Sequence, residues 1–191
     1  MKKYILMLFL LFLIGSNIFA YAYIAGKNII SPNESFVISG FGENKLQMTV
    51  YQIKDPLKLL LEEKQLSSLE KKMVVSKTIK SDDDGRISHK EVLKDYGVYL
   101  IELVSNIQNN SKDLTRAIII VTDLDFISVY DGEQAKITPV DLITGNNREA
   151  DIYTVDNSDN FSAFPQKTEL SINNSNLKRV VLKSNNQYAL K

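Results

Sequence analysis

Short apolar segments recur along most of this chain, each broken by turn-forming residues after about 8–12 positions, and that rhythm constrains the fold more than any other feature. An amphipathic helix needs a run of about ten residues at 3.6-residue spacing, whereas a half-buried strand needs only four to eight alternating ones. The segments "ESFVISG" (34–40) and "KLQMTVYQI" (45–53) alternate, with Phe36 and Ile38 on one face of the first and Leu46, Met48 and Val50 on one face of the second. With "FGEN" between them they read as an antiparallel pair. "MVVSKTIK" (73–80) is rich in β-branched residues and reads as a strand. "YGVYLIELVS" (96–105) and "LTRAIIIVTD" (114–123) are two more, joined by the polar hairpin loop "NIQNNSKD". The second carries an unbroken apolar run over 117–121, as expected for a strand buried on both faces.

One segment departs from the strand pattern. In "DPLKLLLEEKQ", Asp55 suits an N-cap, Pro56 the first helical position, and Leu57, Leu60 and Leu61 make a stripe at helical spacing, so a short helix ends near Ser67. From Leu124 the strand rhythm restarts: "LDFISVY", "QAKITPVDL", "READIYTV", a polar stretch with Phe161 and Phe164, then "TELSI", "LKRVVLK" and "NQYAL". Pro139 needs an edge or bulge because it cannot donate to a ladder. The fold class is all-β: two consecutive immunoglobulin-like antiparallel β-sandwiches, with the one short helix in the first. Residues 1–22 are expected to be a signal peptide, 23–122 the first sandwich, and 123–191 a small or incomplete second one. No Gly/Ser/Pro-rich spacer lies between them, so the joint should be short and stiff.

The leader reading rests on two lysines, an apolar run over 4–14, and Ala20-Tyr21-Ala22 as an A-x-A cleavage site. That run is well short of the roughly 20 residues that cross a bilayer, so no stable membrane span is expected after cleavage. The chain has no cysteine, which excludes disulfides, thiolate chemistry and a lipid anchor through an N-terminal cysteine. A cysteine-free exported chain points to a bacterial envelope, periplasmic or extracellular. Lysines plus arginines equal aspartates plus glutamates at 23 each, so no basic surplus points to nucleic acid.

Candidate chemistry is sparse. "KSDDDGRISHKE" (80–91) places Asp82, Asp84 and Glu91 near the ligand positions of an EF-hand loop, but Lys80 stands where the first carboxylate belongs. The flanks read as strands, so the segment is expected to be a hairpin turn built on Asp-Gly, with these three residues only weak calcium candidates. His89 is the sole histidine and has no cysteine or second histidine with which to bind zinc. Asp123 and Asp125 straddle the expected domain boundary, where contact with the neighbouring domain is a commoner role than acid–base work. No catalytic residue, cofactor or metal site is expected.

Three groups of residues carry a resemblance. They are Gly97, Tyr99 and Glu102; Val121, Thr122, Asp123 and Leu124; and Asp141, Leu142, Thr144 and Gly145, with "VYQIKDP" (50–56) ahead of the helix. In this order they resemble the N-terminal macroglobulin domains of bacterial alpha-2-macroglobulin proteins, over nearly all of the chain after Ile29. The resemblance implies macroglobulin-type sandwiches and an endopeptidase-inhibitor family, in which a cleaved bait segment triggers rearrangement and a Cys-Gly-Glu-Gln thioester captures the protease. This chain holds no cysteine, hence no thioester, and two domains leave no place for a bait region. It is expected to be an N-terminal piece of a longer inhibitor or a short stand-alone relative, unable to trap a protease alone.

The expected role is therefore a non-enzymatic exported scaffold. Its partners would be other macroglobulin-like domains or an envelope protein, with proteases engaged only through a longer assembly. The alternative is an adhesin or carbohydrate-binding module using Tyr130, Tyr153, Phe161 and Phe164 as a sugar platform.

Overall fold

A computed structural model describes residues 21–41, 45–62, 66–106, 112–173 and 177–190. The expected leader apart from Tyr21 and Ala22, and residues 42–44 and 107–111 of the expected turn and hairpin loop, lie outside them. The first half contains β1 (Tyr21–Ala25), β2 (Ile29–Ile30), β3 (Ser35–Phe41), β4 (Lys45–Ile53), helix α1 (Pro56–Glu62), β5 (Lys71–Lys80), β6 (Arg86–Val92), β7 (Gly97–Asn106) and β8 (Lys112–Val121). The second contains β9 (Leu124–Tyr130), β10 (Gln134–Asp141), β11 (Ala150–Asp156), β12 (Phe161–Lys167), β13 (Leu170–Asn173), β14 (Leu177–Ser184) and β15 (Gln187–Leu190). No helix among the described residues is long and apolar enough to cross a membrane.

Each half is a two-sheet sandwich. The first packs the sheet β1-β3-β6 against β2-β8-β7-β4-β5, and the second packs β13-β10-β9 against β12-β11-β14-β15. Alternation along the strands fills both cores. Phe36 and Ile38 meet Leu46, Met48, Val50, Ile101, Leu103 and Ile119 in the first, while Leu124, Phe126, Ile137, Ile152, Val180 and Leu182 make the second.

A third apolar cluster joins the halves and accounts for the run at 117–121. On β7, Tyr99, Ile101 and Leu103 face the first core, whereas Val98 and Leu100 face the other way. On β8, Ile119 and Val121 point inward and Ile120 outward. Val98, Leu100 and Ile120 join Ile53 and Leu60 on one side and Val181 and Tyr188 of the second sandwich on the other. A strand covered by its own sandwich on one face and by a neighbour on the other has no solvent side, so its sequence cannot alternate.

Two pairings differ from the sequence reading. β3 and β4 do not pair: β3 lies between β1 and β6, while β4 lies between β5 and β7. The turn at 82–85 likewise joins β5 and β6, which belong to opposite sheets, so it is an arch between layers and not a hairpin. Alternation fixes which face of a strand is buried but says nothing of its hydrogen-bonded neighbour, and a short turn allows either arrangement. β12, expected as a polar stretch, is an edge strand beside β11, where Pro165 has no inner ladder to interrupt. Pro139 sits in the middle strand β10, but β13 pairs with β10 only as far as Ile137; beyond it a short bridge to the 146–148 segment takes that side, with the Pro139 carbonyl accepting from Arg148 N–H at 2.9 Å, so no continuous ladder is interrupted.

The entry to β7 is fixed by two residues. The Tyr99 hydroxyl donates to the Asp95 carbonyl at 2.9 Å, tying the turn before β7 to the strand, as in the tyrosine corner of immunoglobulin-like sandwiches. Burial first, then the Asp95 charge, pushes this phenol up to about 12. Gly97 has φ +154, and a Cβ there would lie 3.1 Å from the Gln52 amide nitrogen. Gly97→Val is expected to cost about 1–3 kcal/mol through that strain. Ile119→Asp, at a position with 0% exposure, is expected to cost roughly 4 kcal/mol by burying an unpaired carboxylate. Urea melts of the two variants should rank them in that order, and a stable Ile119→Asp chain would overturn the packing of β8.

Candidate functional site

Of the three weak calcium candidates, Asp82 and Glu91 carry structural hydrogen bonds and Asp84 lies exposed in the turn. The Asp82 side chain accepts hydrogen bonds from the backbone N–H groups of Asp84 at 3.1 Å and Arg86 at 2.7 Å, and Gly85 takes a left-handed φ of 77° to close the turn. Glu91 is nearly buried and bonds Lys77 Nζ at 2.7 Å and His89 Nε2 at 3.2 Å, bridging the edge strands of the two facing sheets. Burial alone would raise its pKa, but the hydrogen bonds from Lys77 and His89 outweigh that and hold the carboxyl below the ordinary range. Among the described residues no three His, Cys, Asp or Glu side chains converge as metal ligands.

Asp123 belongs to the joint, as do several residues to which the sequence had given no role. Its Oδ2 accepts from the Tyr96 hydroxyl at 2.6 Å, its backbone N–H donates to Gln187 Oε1 at 3.1 Å, and its carbonyl accepts from Leu142 N–H at 2.8 Å. The bond to Asp123 is the main reason the Tyr96 phenol titrates above its usual value. Gln187 Oε1 also accepts from Arg148 at 3.3 Å, and Arg148 reaches Asp141 Oδ2 at 3.3 Å. Asp141 Oδ1 in turn accepts from Ile143 N–H, Thr144 N–H and the Thr144 hydroxyl. On the far side, the Arg179 guanidinium donates to the carbonyls of Leu60 at 3.1 Å and Leu61 at 3.0 Å, near the C-terminal end of α1. Asp125 lies apart, on β9 opposite Val140.

The four proposed platform aromatics separate. Tyr153 and Phe161 stack at 5.8 Å between ring centroids. Phe164 packs against the second core, and Tyr130 lies exposed opposite Ala135 at the end of the other sheet. The stacked pair walls a groove of about 680 Å³ between α1 and the second sandwich, together with Leu57, Leu61, Lys178 and Arg179.

No family model matches the sequence, and no curated protein matches it. Solved structures do match. Native alpha-2-macroglobulin from Escherichia coli spanning domains MG0-NIE-MG1 aligns with a TM-score of 0.69 at 11% identity, over 90% of this chain and 63% of that one. The NIE-MG1 portion of the same protein aligns with a TM-score of 0.66 at 12% identity, over 93% of this chain and 98% of that one. The fold is macroglobulin-like. A Salmonella alpha-2-macroglobulin mutant aligns at 0.63 and 10% identity, with this chain spanning 12% of its length. At such identities the likeness is one of fold.

Within this macroglobulin-like pair the residues that carried the resemblance have structural duties. Gly97 and Tyr99 shape the entry to β7, and Glu102 pairs with Lys71 and Arg116 across the large sheet. Residues 121–124 carry the crossing between sandwiches, and Asp141 organises the turn whose Leu142 docks on Asp123.

Two outcomes are expected. Leu100→Ala empties a fully buried position of the joint and should cost about 2–5 kcal/mol. Because it loosens the contact between two intact cores, calorimetry should show one transition splitting towards two, whereas a single shifted transition would mean that the halves still unfold as one unit and that the Leu100 contact is not what couples them. Glu91→Gln should destabilise by roughly 1.5–3 kcal/mol at pH 7. Since the folded-state pKa of Glu91 lies below the reference 4.5, this contribution is present above that pH and is lost as pH falls through the folded value. Denaturation measured from pH 7 to pH 3 should therefore bring wild type and variant together in acid.

Proposed function

We propose that this chain is a non-enzymatic, exported interaction module that divides near residues 122–123 into two macroglobulin-like domains and works by docking a partner. The observation that carries the reading is the joint. The shared apolar cluster, the Tyr96–Asp123 bond and the bonds of Arg179 to the Leu60 and Leu61 carbonyls link the sandwiches at one angle, which suits a spacer that presents a surface and suits poorly a clamp that must open.

The surface favoured for docking is the edge strand β9. β5 carries Lys71, Lys72, Lys77 and Lys80 and β12 carries Pro165, both common guards against strand addition. β9 has neither, and exposes Ile127, Val129 and Tyr130. A β-rich partner, such as another macroglobulin-like domain or an envelope protein, would extend this sheet by a strand. Proteases would be met only through such a larger assembly.

Two measurements test the proposal. The purified chain should leave the digestion of large protein substrates unchanged with proteases of every class, and stoichiometric protection by the chain alone would refute it. A tagged chain recovered from the producing cell's envelope should carry one partner in stoichiometric amount. The Ile127→Lys/Val129→Lys chain, folded normally, should lose it. The stacked Tyr153–Phe161 pair in its groove favours a second reading, a glycan site, for which oligosaccharide titrations abolished by Phe161→Ala would be the sign.

A further inference from the structure

The sequence pattern Ala20-Tyr21-Ala22 directs leader cleavage to the bond after Ala22. Yet Tyr21 and Ala22, the first described residues, already belong to β1 and pair with β3 in the first sandwich. In the ladder with β3, Tyr21 stands opposite Phe41 and Ala22 opposite Gly40. Ala22 and Ile24 take the inward positions and pack against the first core. On β3 the inward positions are Phe36, Ile38 and Gly40, two large side chains and then none.

The reason for glycine at 40 is a close approach. A Cβ on Gly40 would lie 2.5 Å from the Tyr21 carbonyl oxygen, closer than real contacts allow, and a tight 3.1 Å from the Ala22 Cα, and the obstructing atoms are backbone. Gly40 has none of the positive φ that marks Gly26, Gly85, Gly97, Gly132 and Gly145, so the need for it comes from residues 21 and 22. The same two residues close one end of the sandwich. With Leu46, Leu103 and Ser105 they line a small cavity of about 180 Å³, and Leu46 and Leu103 are each only 1% exposed. A chain beginning at Tyr23 would keep a slot at Gly40 with nothing to fill it and would leave Leu46 and Leu103 with less cover at that end.

We infer that the processed bond is Ala20–Tyr21, so that the mature protein begins at Tyr21 and keeps every described residue of β1. Ala20 supplies the small residue that the peptidase needs before the bond. Water adds across the bond, its hydroxyl to the Ala20 carbonyl carbon and its proton to the new Tyr21 amine. The inference rests on the export reading, and the experiment separates the two.

The full-length chain, expressed with its leader in a bacterial host and isolated from the envelope, is read by N-terminal sequencing. The expected sequence is Tyr-Ala-Tyr-Ile, residues 21–24. Tyr-Ile-Ala-Gly, residues 23–26, or an uncleaved chain in the envelope would overturn this inference and leave export standing, whereas a chain found uncleaved in the cytoplasm would overturn both. Processing itself gives a second readout that does not depend on folding. Ala20→Leu should accumulate as precursor while Ala22→Leu is cut at the same bond, and the opposite pattern refutes the assignment. In the exported product Gly40→Ala should lower Tm by roughly 3 °C or more, because its methyl meets the retained Tyr21 carbonyl. A melt identical to wild type would show that residues 21 and 22 are not in place.

Discussion

At their paired ends, over 97–101 and 119–121, β7 and β8 have no face left for water, and the remainder of the molecule is arranged around that fact. Their inward residues close the first core, and their outward residues, Val98, Leu100 and Ile120, are covered by α1 and by Val181 and Tyr188. Either half alone would expose a contiguous apolar patch of the kind that soluble domains seldom tolerate. Association of the halves is thus part of folding, and the polar contacts around Asp123 and Arg179 select one orientation for an attachment that apolar burial makes favourable.

Much of this was legible in the residues. The unbroken run at 117–121 implied burial on both faces, and the second face proved to be the neighbouring sandwich. The helix followed from Asp55, Pro56 and the leucine stripe, and is found at Pro56–Glu62. Strand partners were not legible. The alternation in β3 and β4 specifies their inner faces equally well whether they pair with each other or stand in opposite sheets. β12 was missed because an edge strand with one proline and few apolar residues lacks the signal that defines a strand.

The site was legible only as a set of motif letters. The resemblance drew out Asp123, Asp141, Leu142 and Thr144 without saying what they do. Their role needs Tyr96, Arg148 and Gln187, single polar residues scattered over 92 positions, which carry no local pattern. The aromatics illustrate the converse. Four were grouped by type, but the pleat sends Phe164 to the core and Tyr153 to the groove, and only register decides which.

The chain has no tryptophan, so its near-ultraviolet dichroism belongs mainly to tyrosine and phenylalanine. Two tyrosines are held tightly, in different places: Tyr99, 3% exposed, in the first core, and Tyr188, 6% exposed, in the joint. The molecule thus has separate optical reporters for the integrity of a sandwich and for the contact between sandwiches. A spectrum that lost the Tyr188 contribution and kept that of Tyr99 would describe two folded bodies that had come apart.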